Sequence, residues 1–211
     1  MGVAVLVLGA SGSGKSTSLR NFEPDEVGVL NVLGKPLPFR KRLERMDNPE
    51  YRDIEECIGS GIKRAWVVDD AGYMMQLENF ARARERGYEK FTEMAVNFQR
   101  IIRAATLAPH DTITYFLMHT ELDANGHEKV KTVGKMLDEK FCVEGACPVV
   151  IDCRVQDGRH VFVTANDGTN LAKAPMESLP DVMDNDLAEV DRLLRAYWGL
   201  APLRSGGPDA G

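Results

Sequence analysis

Six consecutive apolar residues, Val3 to Leu8, lead the chain, and short runs of β-forming residues return at 27–32, 65–68, 112–119 and 149–155. Runs of this length bounded by turn signals predict buried strands. Between Tyr88 and Leu107 the spacing changes: Phe91, Met94, Ala95, Phe98, Ile101, Ile102 and Ala105 recur at i, i+3, i+4 and i+7. That period predicts an amphipathic helix, ended by Pro109. Shorter helices are expected from the glycine-rich turn to about Arg20, near Met136, and over Leu187, Val190, Leu194 and Tyr197, the last capped by Asp184 or Asn185. Asp157-Gly158 separates the run 149–155 from a second at 160–165 and predicts a hairpin. Segment 33–63 reads as irregular and charged, with Pro36, Pro38 and Pro49 preventing any long helix. Strands alternating with helices predict an α/β domain: a mainly parallel sheet flanked by helices, with a C-terminal β-hairpin and helix. One domain is expected over 1–204, followed by a flexible Gly/Pro-rich tail over 205–211.

The first strand runs into GASGSGKS, residues 9–16. Gly9, Gly12 and Gly14 let the backbone fold back with its amides inward, and Ala10, Ser11 and Ser13 complete a nest for phosphate oxygens at the start of a helix. Lys15 adds a charge reaching the β and γ phosphates, Ser16 offers a hydroxyl to Mg²⁺, and Thr17 follows in the same turn. Lys15 is expected to face solvent. The run 65–68 ends in Asp69-Asp70, an apolar strand closing on acid as a Walker B segment does. Asp69 is assigned to Mg²⁺ and Asp70 to positioning or deprotonating the attacking water, with the reverse order also open. Glu44, Glu55 and Glu56 are the fallback carboxylates.

His119, beside Thr120, ends the next strand, where a polar residue senses a γ-phosphate if that strand lies beside the acidic one; a satisfied edge histidine is the plainer reading. Loop 121–135 offers His127, Lys129, Lys131 and Lys135 between the hinges Gly126 and Gly134, either a solvated turn or a contact for a phosphate backbone. Cys57, Cys142, Cys147 and Cys153 lack metal-type spacing and read as free buried thiols. The net charge of −6 argues against coating duplex DNA, while leaving room for a local basic loop. No apolar stretch approaches the ~20 residues of a membrane span, and a cytoplasmic protein is expected.

Seven segments, GASGSGKSTSLR, NVLGKPLPF, WVVDDAGYMM, GYEKFTEMA, FLMHTE, KTVGKMLDEKF and NDLAEVDRLLRAY, give the chain a resemblance to the short RecA-like P-loop ATPases of tailed phages. The likeness spans about Val3 to Trp198, and KPLPF and GKMLDEK are its more specific parts. It implies a RecA-like (ASCE) core, ATP and Mg²⁺ as cofactors, and single-stranded DNA as the partner in annealing or recombination. By this likeness Gly14, Lys15 and Ser16 bind nucleotide, Asp69 supports Mg²⁺, and His119 is the γ-phosphate sensor. The loop bearing Lys129, Lys131 and Lys135 then corresponds to the second DNA-binding loop of RecA-type proteins. A host-cytoplasmic location, a homo-oligomer and a single-strand DNA-binding protein as a further partner follow from the same likeness. Lys173, in LAKAPM, resembles the lysine with which a neighbouring subunit reaches the ATP site, and is otherwise a surface lysine. Arg82, Arg84 and Arg86 are rivals for that role, or a charged helix face.

The chain departs from the wider pattern in two ways. The second strand ends in Asn31-Val32-Leu33-Gly34 where those recombinases present a glutamate base, so hydrolysis is expected to be slow or to fall to Asp70. The resemblance does not take in the extra N-terminal segment by which larger recombinases polymerise, so a filament is not expected from it. Competing readings are a partner-remodelling or helicase-loader ATPase without DNA binding, a small-molecule kinase, and a nucleotide-binding scaffold. The kinase is disfavoured because the loop after His119 carries no arginine for a lid.

Overall fold

A computed structural model describes residues 1–123, 125–134 and 141–203. The expected short helix near Met136 and the tail over 205–211 lie outside the described residues. Strand β1 (Val3–Leu8) is followed by a 3-10 helix, Ser16–Asn21, and then by β2 (Val27–Asn31), β3 (Glu44–Asp47), α1 (Tyr51–Gly59) and β4 (Ala65–Asp69). Next come α2 (Tyr73–Ala81), α3 (Glu89–Leu107), β5 (Ile113–Met118), β6 (Thr120–Leu122) and β7 (Glu128–Val130). The order closes with α4 (Val143–Ala146), β8 (Val149–Gln156), β9 (Arg159–Val163), β10 (Val182–Asp184) and α5 (Leu187–Trp198).

Eight strands form one sheet in the order β10-β9-β8-β1-β5-β4-β2-β3. From β8 to β3 all neighbours are parallel, and only β9 and β10 are antiparallel. The protein is therefore a mixed α/β fold with a mostly parallel central sheet flanked by helices. Alternation along the strands builds two cores, one on each face. Ala4, Leu6 and Leu8 of β1 face Met94, Phe98, Ile101 and Ile102 of α3 together with Ile54 and Ile58 of α1. Val5 and Val7 face Leu19 and Phe22 near the 3-10 helix and Leu187, Val190 and Leu194 of α5.

Several expectations are corrected. The segment read as irregular holds β3 and α1. Pro49 precedes α1 rather than interrupting it, and Glu50 and Asp53 form a reciprocal capping box at its start. The helix after the glycine-rich turn is 3-10, six residues long, and gives way to the extended Phe22. The loop after His119 carries the two-stranded ribbon β6–β7. The cap of α5 is Asp186, whose carboxylate accepts the amides of Ala188 and Glu189; Asn185 is turned elsewhere. The hairpin at Asp157-Gly158 forms as expected, with both residues at positive φ (51° and 75°). All four cysteines are free, but only Cys147 and Cys153 are buried, while Cys57 is half-buried and Cys142 exposed. Among the described residues no helix is long and apolar enough to cross a membrane.

Candidate functional site

The carboxyl ends of β1, β5 and β4 lie side by side because β5 pairs with β1 along one edge and with β4 along the other. Each strand delivers its last polar residue to one place, which is where a parallel α/β sheet presents its chemistry. After Leu8 the chain turns through Gly9 (φ 152°), Gly12 (79°) and Gly14 (106°), a left-handed series that side chains would resist. A Cβ on Gly9 would also stand 2.2 Å from the carbonyl oxygen of Cys153, so the turn is packed against β8.

Lys15 does not face solvent as expected: it is 6 % exposed. Its Nζ donates to the carbonyls of Gly9 (2.7 Å) and Ala10 (2.9 Å), folding the side chain over the turn. Burial holds its pKa below the usual lysine value, opposed by the nearby Cys153 and by the carboxylates of Asp70 and Asp69. Ser16 Oγ donates to Asp69 Oδ1 at 2.8 Å. Burial and the neighbouring Asp70 charge push the Asp69 carboxyl up to about 6, against the pull of Ser16, Lys35 and Lys15.

Asp70 sits at φ 60°, the left-handed region that aspartate tolerates. The amide of the next residue, Ala71, donates to the Leu117 carbonyl of β5, which fixes the turn. The carboxylate meets Lys35 Nζ at 2.6 Å and His119 Nε2 at 3.4 Å. Burial would raise the Asp70 pKa, but the hydrogen bonds from His119 and Lys35 outweigh it and hold the group below the usual carboxylate range. His119 Nδ1 lies 3.5 Å from Lys15 Nζ, and the Tyr73 ring packs edge-on to the imidazole. A lysine can only donate and a carboxylate accepts, so the imidazole is read with its proton on Nε2.

The site joins Lys15, Ser16, Asp69, Asp70 and His119, as expected. Within one chain Lys173 stands apart from the site, which bears on its own subunit and not on a neighbour's: the residue is exposed, bridges to Val150, and lines a cleft with Gly2, Val3 and Trp198 at the amino ends of β1 and β8. The fallback carboxylates are engaged elsewhere, Glu44 with Lys63, Glu55 with Arg100 and Glu56 with Arg52. Arg82 is bound to Glu78, Glu85 and Glu93, a surface cluster rather than a free cation. Lys129 pairs with Glu121 across the β6–β7 ribbon, Lys131 is exposed, and Lys135 lies outside the described residues.

Four contributors have no site role that the sequence alone assigns. Lys35 reaches Asp70 from the turn after β2. Asn31, at the position where a glutamate was sought, is buried and donates to the Lys35 carbonyl (2.8 Å) and to Asp47 Oδ1 (2.6 Å), so it shapes the turn that carries Lys35. Cys153 Sγ and His160 Nδ1 both approach the Ser13 carbonyl, at 3.2 and 2.7 Å, buttressing the glycine turn from β8 and β9. Lys35, Cys153 and His160 act across long stretches of chain, and Asn31 acts through the turn it shapes, so no spacing assigns them a role.

The donor set fits a phosphate chain with a magnesium ion. The glycine-turn amides and Lys15 would supply positive charge, and the buried Ser13 Oγ has no hydrogen-bond partner. Ser16 and Asp69 would supply oxygen ligands to the metal, directly or through water. Among the described residues no cage of three or more His, Cys, Asp or Glu side chains exists. A magnesium ion that shares its shell with phosphates and water needs no such cage. Comparison of the chain with protein-family models gives no match, and comparison with curated protein sequences gives none either.

Proposed function

We propose that the chain is a Mg²⁺-dependent ATPase of the RecA-like P-loop class that acts on single-stranded DNA in annealing or recombination. The carrying observation is the meeting of Lys15, the Ser16–Asp69 pair, Asp70 and His119 at the ends of three adjacent parallel strands. Strand order supports the class: with edge strand β3 set aside, the parallel strands run β8-β1-β5-β4-β2, with one strand between the glycine-turn strand and the acidic strand.

In this reading the turn amides and Lys15 hold the phosphates, and Ser16 and Asp69 hold Mg²⁺, which when bound neutralises phosphate oxygens. Asp70 accepts a proton from, or orients, the attacking water. His119, held between Lys15 and Asp70, reports on the terminal phosphate. The report has a short route outward, because Lys131 N donates to the His119 carbonyl at 2.9 Å and ties the β6–β7 ribbon to the sensor.

The ribbon itself favours a second reading, a partner-remodelling ATPase without DNA binding. Its cation Lys129 is matched by Glu121, and Asp123 and Glu128 add further negative charge. ATP turnover measured with and without an unstructured DNA strand separates the two. Stimulation by the strand is the expected result; turnover indifferent to it, with no strand binding, favours the second reading; no ATP binding overturns both.

A further inference from the structure

The chain has a strongly basic segment of which the site uses only the first residue, Lys35. Between Lys35 and Arg45 the sequence KPLPFRKRLER carries five cations and one carboxylate, in a protein whose net charge is −6. The segment is the crossover from the carboxyl end of β2 to the amino end of β3, and it contains neither helix nor strand until Glu44. Leu37, Phe39 and Leu43 turn inward onto the core shared with Leu19 and Phe22. Arg40, Lys41 and Arg42 are left exposed in succession. Among the described residues Arg40 and Arg42 have no ion-pair partner. Lys41 pairs with Glu23 at 3.1 Å and also donates to the Phe22 carbonyl at 3.0 Å, and Arg45 pairs with Asp47 at 3.2 Å; the two ion pairs are surface contacts that a phosphate can replace at little cost. Phe39 lines a cleft of about 450 Å³ with the same cations.

We infer that this crossover is a binding strap for the backbone of single-stranded DNA, distinct from the β6–β7 ribbon. Guanidinium groups match phosphate oxygens two at a time, and a row of them beside an aromatic ring is the combination that holds a strand without reading its sequence. An extended strap without a helix has nothing to place in a major groove, so a single strand is the occupant rather than a duplex. The strap begins at Lys35, whose Nζ is 2.6 Å from Asp70, so the strand-binding surface and the nucleotide site share one continuous stretch of backbone. The choice of DNA as the polyanion rests on the proposed function; the anion-binding surface rests on its own residues.

The test is a salt titration of the full chain against a labelled oligothymidylate of about 20 nucleotides, long enough for one or two binding footprints. The triple variant Arg40→Ala, Lys41→Ala, Arg42→Ala is expected to flatten the slope of log affinity against log salt by about 2, at roughly 0.7 for each phosphate no longer neutralised. Its affinity for a fluorescent ATP analogue and its thermal midpoint should match the unaltered chain. The charge-preserving variant Arg40→Lys, Arg42→Lys should keep the slope. An unchanged slope in the triple variant, with a flattened slope instead in Lys129→Ala, Lys131→Ala, overturns the strap. So does failure of the unaltered chain to bind the strand in any nucleotide state. Strand binding that depends on the strap in a chain with no affinity for ATP would support the strap while removing the ATPase reading.

Discussion

His119 stands between Lys15 and Asp70, with Nδ1 3.5 Å from the lysine Nζ and Nε2 3.4 Å from the carboxylate. The histidine lies 104 positions from Lys15 and 49 from Asp70 in the chain, and only the insertion of β5 between β1 and β4 lets one imidazole touch both. Both distances are long for hydrogen bonds. A ligand that draws Lys15 toward itself would release one side of the ring and leave the other on Asp70.

Lys15→Ala tests the anion site. The lysine is buried and satisfied by two carbonyls, so its removal relieves a desolvated charge and should leave the thermal midpoint unchanged or raised. Mg-ATP affinity should fall on the order of 100-fold, the scale of removing one charged hydrogen bond. A folded variant with undiminished affinity would remove the nucleotide assignment.

Asp70→Asn and Asp69→Asn separate two roles. The amide at 70 keeps shape and loses basicity, so turnover should drop roughly 100- to 10,000-fold with ATP binding retained. The amide at 69 should instead raise the Mg²⁺ concentration needed for half-maximal turnover. Normal hydrolysis by Asp70→Asn would move the base elsewhere, and to a group other than Glu44, Glu55 and Glu56, which are held in ion pairs away from the site.

Arg195 and Asp191 of α5 hold the helix to the amino end of the sheet. Asp191 Oδ1 accepts the Tyr115 hydroxyl at 2.8 Å, while Arg195 donates to the carbonyls of Arg64 (2.7 Å), Asp111 (2.7 Å) and Ala201 (2.9 Å). Asp191→Ala leaves a buried guanidinium without its counter-charge and should cost ~3–5 kcal/mol in a urea unfolding series. Tyr115→Phe should cost about 1 kcal/mol. Equal small losses in both would show that the network contributes little.

Gly28→Ala tests packing between strands. Gly28 is in register with Trp66 on β4, and a Cβ there would lie 2.2 Å from the indole ring. Displacing the ring should cost about 1–3 kcal/mol, seen as a lowered midpoint of unfolding. An unchanged midpoint would mean that the indole moves freely.

The elements legible in the sequence are those whose burial is written into local pattern. Strands β1, β4, β5 and β8 are apolar runs buried on both faces, and α3 keeps its period over five turns. β3 is invisible because every residue of Glu-Arg-Met-Asp is exposed, so no alternation records its pairing with β2. α1 buries only Ile54 and Ile58, too few positions to establish a period against three nearby prolines. The glycine turn and the acidic pair were readable because their chemistry is contiguous. Lys35 was not, since its partner Asp70 is remote in the chain and the turn that aims it depends on Asn31.

β3 also has a consequence for assembly. It is the sheet's outermost parallel strand, paired with β2 alone, and so offers one row of backbone donors and acceptors to any passing chain. Glu44, Arg45 and Asp47 crowd that border, exposed and each already in an ion pair. A second copy extending the sheet there would have to strip water from three charges to gain a few amide bonds. Growth of the sheet is thus discouraged at its parallel margin, although the geometry there leaves a strand's worth of backbone open.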